Sequence, residues 1–271
     1  MKKLACLALV ALSAFPIAAT ACTGADDEEE LATSTATSAL VTSEHGSMPD
    51  EVTMSATTDR PLSAEALAIR IAARPFARLQ PAGCATKTRE GNTVHLIMKG
   101  CSTKRGRTMD GTMDAVFVDA AGGVAVTVRG GPDLVANGQP LAYVATATVR
   151  STDTGNDIVW HAKASGTTRR GRAFTREADI SVVTDAATRC ATIDGTSRGT
   201  IAGRQIDTTI SDLHACAEGC PSRGEVVSIV HKGPHERTMT VTFDGTPQAR
   251  VKGLRGRMFN VSLACGDSEA E

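Results

Sequence analysis

The sequence predicts a mainly β protein, an antiparallel meander that is open, barrel-like or drawn out as a long twisted sheet, with one N-terminal helix. Three observations predict it. From residue 82 onward apolar and polar residues alternate with a period of two, the spacing at which successive strand side chains point to opposite faces. Turn signals separate the alternating runs at intervals too short for crossover helices. The alternation is also only half apolar, which suits antiparallel strands with one wet face and not parallel strands buried on both.

The elements follow in order. Residues 61–80 are expected to be helical, mainly from Ser63 to Gln80. Ser63 can cap the first turn and Glu65 suits its positive end. Arg70, Arg74 and Arg78 form one charged stripe, and Pro75 should kink the helix because it lacks an N–H and crowds the carbonyl of Ile71. Such a helix could lie on anionic lipid; the favoured reading packs Leu67 and Ile71 on a sheet. Residues 81–271 then form the β domain. Its apolar sets are Val94, Leu96 and Met98; Val124, Val126 and Val128; Leu141, Tyr143, Ala145, Ala147 and Val149; and Ile158, Trp160, Ala162 and Ala164. Phe174, Ala178, Ile180 and Val182 come next, then Ile206, Thr208 and Ile210, then Met239, Val241 and Phe243, then Phe259, Val261 and Leu263. Turns are expected at Gly91-Asn92, Gly122-Gly123, Asn137-Gly138, Gly155-Asn156, Gly203-Arg204, Gly233-Pro234 and Asp244-Gly245. Roughly ten to fourteen strands result.

The start of the chain concerns compartment. Lys2 and Lys3 precede an apolar run from Leu4 to Ala19, a signal-peptide core too short to span a bilayer comfortably. Residues 1–21 are therefore expected to be a signal peptide. Ala19-Thr20-Ala21-Cys22 resembles the lipobox of bacterial lipoproteins, with Ala19 where that family usually has Leu. The resemblance implies a diacylglyceryl group on Cys22 and a membrane partner reached through that anchor. Thr23, rather than Asp, follows the cysteine, which in that family implies the outer membrane; plain secretion is the alternative. Residues 22–60 are acidic, carry few large apolar residues and show no period. Such a stretch cannot bury enough surface to offset its chain entropy, so it reads as a disordered acidic tether.

Composition excludes several classes. The near-neutral total hides nine acidic residues in positions 22–60, while residues 61–271 carry a surplus of five basic residues. That surplus is scattered, so no nucleic-acid partner is expected. The chain has one Trp and one Tyr. It cannot build the aromatic girdles of an outer-membrane barrel, nor the stacked faces a carbohydrate module usually needs.

Six cysteines lie in the β domain: Cys84, Cys101, Cys190, Cys216, Cys220 and Cys265. An even number in an exported chain reads as disulfides. A turn at Gly91-Asn92 brings Cys84 and Cys101 nearly opposite, and one at Gly203-Arg204 does so for Cys190 and Cys216. Cys220 and Cys265 remain to pair by elimination, and spacing alone does not choose among the fifteen pairings that six cysteines allow.

Three stretches carry a wider resemblance: Lys99-Gly100-Cys101 through Arg107 to Thr112; Thr167 to Arg176 with Asp194-Gly195-Thr196; and Gly219-Cys220-Pro221-Ser222-Arg223-Gly224 through Thr240 to Gly245. Together they resemble uncharacterised β-meander lipoproteins of the myxobacterial and Bacteroidetes type. The resemblance covers residues 84–265 and implies a fold and a location, but no reaction. This chain lacks the second cysteine that such relatives often carry after Asp244, which leaves the partner of Cys220 open.

The chemical motifs are weak. Gly195-Thr196-Ser197-Arg198-Gly199 fits G-x-S-x-G, but a nucleophile elbow needs a helix next, and strand-like residues follow. His214, Cys216 and Cys220 are near one another, with His231 and His235 flanking a Gly-Pro turn, yet the spacing matches no zinc ribbon or finger. Asp110 with Asp114, or Asp207 with Asp212, could be a carboxylate pair. Arg129-Gly130-Gly131-Pro132 lacks the helix a phosphate loop requires. The expectation is a non-catalytic lipoprotein with no cofactor and no metal, structural or bound to another macromolecule. The alternatives are a carrier of a lipid or other apolar ligand in a β-cup, lined by Leu141, Tyr143, Trp160 and Phe174, and a secreted hydrolase.

Overall fold

The computed structural model describes residues 63–73, 79–103, 108–167, 171–216, 220–232, 235–263 and 265. The expected signal peptide, Cys22 and the acidic tether lie outside the described residues. One helix, α1 (Ala64–Ala73), precedes fifteen strands among them. These are β1 (Leu79–Gln80), β2 (Ala85–Glu90), β3 (Thr93–Thr103), β4 (Thr108–Ala120), β5 (Gly123–Gly130), β6 (Val135–Ala136), β7 (Gln139–Ser151) and β8 (Gly155–Thr167). They continue as β9 (Ala173–Asp185), β10 (Cys190–Ile201), β11 (Arg204–Cys216), β12 (Arg223–Lys232), β13 (His235–Thr242), β14 (Gln248–Lys252) and β15 (Met258–Ser262).

All fifteen belong to one antiparallel sheet, in the order β1-β3-β4-β5-β7-β8-β9-β10-β11-β12-β13-β14-β15, with β2 beside β3 and β6 beside β4 and β7. Nearly every strand pairs with its neighbour in sequence, so the fold is a meander. No pairing among the described residues joins β15 to β1, and the sheet is open.

The helix is shorter than the sequence suggests. It ends at Ala73, and Leu79–Gln80, expected to be helical, form β1 and pair with Thr103 and Ser102 of β3. Pro75 accounts for the difference: it offers no N–H to the helix and disfavours helical geometry at the residue before it. The expected kink and the Arg74 and Arg78 part of the stripe lie outside the described residues. Leu67 and Ile71 are fully buried, as expected of a helix lying on a sheet, and α1 packs against β2, β3 and β4. The sheet holds both helix ends. The Asp119 carboxylate accepts the Ala64 N–H at 2.6 Å, and Lys87 Nζ donates to the Ile71 carbonyl at 2.9 Å. An anion at the first turn and a cation at the last both suit the helix dipole.

The apolar sets read from the alternation share one face. Val94, Leu96, Val124, Val128, Val149, Ile158, Val226, Val241 and Val251 are at most barely exposed, and they fall in one core cluster. Burial is complete even on β12 to β14, remote from α1. A helix of ten residues that packs on β2, β3 and β4 does not cover that area. The core is built from small β-branched side chains, with Phe117 the largest one fully buried.

Three disulfides staple the meander: Cys84–Cys101, Cys190–Cys216 and Cys220–Cys265. The sequence places the second bridge correctly through two errors that partly offset and leave its register one residue off. The β10–β11 turn is centred on Ala202–Gly203, not Gly203-Arg204. Ala202 and Gly203 take φ of 51° and 76°, the two positive values of a tight type I′ hairpin. That register alone would set Cys190 opposite Ala215. A bulge at Ser211–Asp212, with Asp212 at φ 48°, adds one residue to β11 and brings Cys216 opposite Cys190.

Candidate functional site

A strand's outward residues meet their neighbours in cross-strand rows, and one such row carries seven charged or titratable side chains. Reading across β3 to β11 it runs His95, Asp114, Arg129, Val144, Lys163, Glu177, Arg198 and Asp207. Around Val144 the signs alternate. His95 Nδ1 contacts Asp114 at 2.7 Å, Lys163 Nζ contacts Glu177 at 2.8 Å, and Arg198 Nε contacts Asp207 at 3.0 Å. In the adjoining row His161 pairs with Asp179.

The middle of this face is a shallow trough of about 690 Å³ on β7 to β11. Its exposed walls are Ala142 and Val144, Lys163 and Ser165, Thr175 and Glu177, Arg198 and Thr200, and Gln205. Ala164 and Gly199, small residues at strand positions that face the apolar side, also border it. Gly199 is required there, since a Cβ would lie 2.3 Å from the Thr175 carbonyl oxygen.

At one end of the trough the charges form a network. Asp207 accepts from Arg198 Nε, from Gln205 Nε2 at 2.9 Å and from His231 Nε2 at 2.9 Å. His231 Nδ1 contacts Glu236 at 3.0 Å. Partial burial works against ionisation of Asp207, but the three donors outweigh it and hold the carboxyl below its ordinary range. Both ring nitrogens of His231 are thus engaged by carboxylates, so neither is offered to a substrate. Beside Lys163, Glu177 bonding holds the ammonium above its ordinary range.

The weak motifs take their places accordingly. Ser197 lies in the middle of β10 with its side chain toward the apolar face, not on an elbow, and its Oγ accepts from Arg176 Nη2 at 3.0 Å. Asp110 accepts the Gly100 N–H, whereas Asp114 pairs with His95. Asp207 and Asp212 each serve a different cation, Arg198 and Arg223. Gly131 donates to the Thr112 carbonyl at 2.8 Å and opens a turn, not a helix. Cys220 is bonded to Cys265, so the His214, Cys216 and Cys220 grouping is not assembled; Cys190 takes the place of Cys220 beside His214 and Cys216. His235 pairs in register with Lys232, away from that group.

Besides Lys87, which bonds to α1, the apolar face carries a further cation. Arg176 lies between Phe174 and Ala178 on the inward side of β9, half-buried, and no carboxylate among the described residues pairs with it. Burial lowers its tendency to hold its proton. Tyr143 occupies the same cross-strand row, and burial raises its phenol well above the usual range. Leu141, Tyr143, Trp160 and Phe174, the set expected to line a β-cup, do share this face. Strand alternation could have located Arg176, because it falls within the Phe174, Ala178, Ile180 set. The charged row could not be found that way, since it needs the register of seven strand pairs.

Compared with known proteins, the chain matches no family model, no curated protein sequence and no solved structure.

Proposed function

We propose that the chain is an exported, lipid-anchored, non-catalytic lipoprotein of the outer membrane, and that its exposed sheet face is a docking surface for another macromolecule. One observation carries the non-catalytic part of this reading. The described histidines and carboxylates of the exposed face are joined side by side across neighbouring strands, as in a lateral lattice, and among the described residues they do not converge on a space where a reacting atom could sit. Three disulfides support passage through an oxidising compartment. The signal-like start and the lipobox resemblance at Cys22 support the anchor, as does the likeness to β-meander lipoproteins.

The test is the mass of the mature protein purified from its own membrane. The proposal expects an N-terminus at Cys22 bearing a diacylglyceryl group, and loss of membrane association in Cys22→Ser. A mature chain that begins at Met1, or a Cys22 without lipid, overturns it.

Arg176 favours a second reading, a carrier of an apolar ligand with an acidic head. A half-buried cation without a carboxylate partner on an apolar face is a place where such a head would be held. Native mass spectrometry should then show a co-purifying acidic lipid beyond the Cys22 anchor, lost in Arg176→Leu. Protein that arrives without any such lipid counts against the carrier.

A further inference from the structure

The geometry points to a redox-gated metal site: opened by a dithiol reductant, the Cys190–Cys216 bridge becomes, with His214, a three-ligand site for a zinc-class cation. The reaction balances. The dithiol gives up two electrons and closes to its own disulfide, and the Cys190–Cys216 bond breaks to leave two thiols. The cation then binds the two sulfurs as thiolates and displaces their protons to solvent. The fourth tetrahedral position is left to water.

Three observations carry this. First, the ligands are held by the strand ladder and not by the bridge alone. Cys190 faces Cys216, and the ladder continues through Ala191 with Ala215 and Thr192 with His214. β10 is paired on its other side as well, with Asp185 of β9 opposite Cys190. Opening the S–S bond therefore leaves the two Cα atoms, 3.9 Å apart, close to where they were. The sulfurs need only part to about 3.8 Å, the edge of a zinc tetrahedron with bonds of about 2.3 Å.

Second, the imidazole is already in place. His214 stands two residues before Cys216, so both project from the same face of β11. Its Nε2 lies 4.0 Å from Cys216 Sγ, and the ligand atoms of Cys190, His214 and Cys216 all fall within 4.8 Å of one another. No comparable trio of cysteine and histidine occurs elsewhere among the described residues.

Third, the ring has an outer partner. Thr192 Oγ1 lies 3.2 Å from His214 Nδ1. With the proton on Nδ1 donated to that hydroxyl, the Nε2 lone pair faces the sulfurs. Outer hydrogen bonds of this kind orient metal-binding histidines and fix their tautomer. The ligand set of two thiolates and one imidazole suits zinc and its congeners and not hard cations, which want oxygen. While the bridge is closed neither sulfur is a thiolate, so binding is tied to redox state.

The experiment uses the full mature chain, reduced with a phosphine and desalted without oxygen, then titrated with Cd²⁺, whose thiolate charge-transfer band is visible in the ultraviolet, and with Zn²⁺. The expected result is a charge-transfer band that saturates when reduced and is absent when oxidised. Cys190→Ser with Cys216→Ser should abolish the saturating component, separating it from the other four cysteines. His214→Gln and Thr192→Val should each weaken binding about 10- to 100-fold. Equal binding by oxidised and reduced protein overturns the inference. So does a band that survives the double serine change, or binding indifferent to His214→Gln. Circular dichroism checks that the reduced chain stays folded. Where it does not, Cys190→Asp in air-oxidised protein keeps both other bridges and presents carboxylate, imidazole and thiol without a reductant; its failure to bind Zn²⁺ overturns the inference equally.

Discussion

The Asp194 carboxylate accepts the backbone N–H of Asp212 at 2.8 Å, at the point where β10 and β11 slip by one residue. Asp212 in turn receives Arg223 at 2.8 Å from the next strand, where a second shift separates Ser211 from His214. Gly224 fits beside this bulge with no room for a Cβ, which would lie 2.5 Å from Leu213 Cα. Three strands thus agree on one irregularity, and the Cys190–Cys216 bridge depends on it. Asp194→Ala should slow formation of that bridge during oxidative refolding and lower the urea midpoint. Peptide mapping of refolding samples checks this; unchanged bridge kinetics would refute it. Asp212→Val should be worse, because a β-branched residue resists a positive φ.

The bridges should rank by the chain they enclose. In the loop-entropy model, removing Cys220–Cys265, Cys190–Cys216 and Cys84–Cys101 costs about 4.0, 3.5 and 3.1 kcal/mol respectively. Their separations of 45, 26 and 17 residues set that order. Paired Cys→Ser variants in urea denaturation measure it. A reversed order would mean that native geometry, and not chain entropy, governs their contribution.

Leu67 fixes α1 to the sheet with no exposed surface. Leu67→Ala should destabilise by about 2–5 kcal/mol and release the helix. Hydrogen exchange then reads faster protection loss in residues 64–73 than in β7 to β9. Uniform loss across the sheet would show that α1 is integral to the core and not a docked element.

Acid should loosen the exposed face. Arg223 bonding holds the Asp212 carboxyl below its ordinary range, and donors to Asp207 do the same against the opposing effect of burial. Lowered folded values mean that the unfolded chain binds more protons in acid. The stability these carboxylates lend is complete above their unfolded pKa of about 3.9 and is lost as pH falls through the lower folded values. Urea midpoints from pH 7 down to 3 should therefore fall at the acid end, and Asp207→Asn should flatten that fall. An unaltered slope would refute the assignment.

Trp160 Nε1 is buried without a hydrogen-bond partner among the described residues. An orphan donor is expensive to bury, about 1–3 kcal/mol, so Trp160→Phe should change stability by less than its loss of volume implies. A drop as large as a full cavity mutation, about 3–5 kcal/mol, would show that the indole nitrogen has a partner in solution.

The alternation of Val124, Val126 and Val128 or of Ile158 and Trp160 was readable because large apolar side chains fall on every second residue. β10 was readable as a strand only through its hairpin turn and not from alternation, since its inward positions include Gly195, Ser197 and Gly199. Those residues are small because their neighbours are not: a Cβ on Gly195 would lie 2.7 Å from Ile180 Cδ1. The helix was overrun because Leu79–Gln80 continues an apolar pattern that only the partnership with Thr103 and Ser102 turns into a strand. The disulfides were legible in outline, because turns set register, but their bulges were not. The charged row from His95 to Asp207 was beyond reach for the same reason, since a slip of one residue in any pair moves a side chain to the other face.

Each strand from β3 onward finds a partner that the chain has already made. A polypeptide delivered amino end first can therefore lengthen the sheet one hairpin at a time, without waiting for its tail. Cys220 with Cys265 then ties the last-arriving segment back to the start of β12. Order along the chain and order along the sheet coincide.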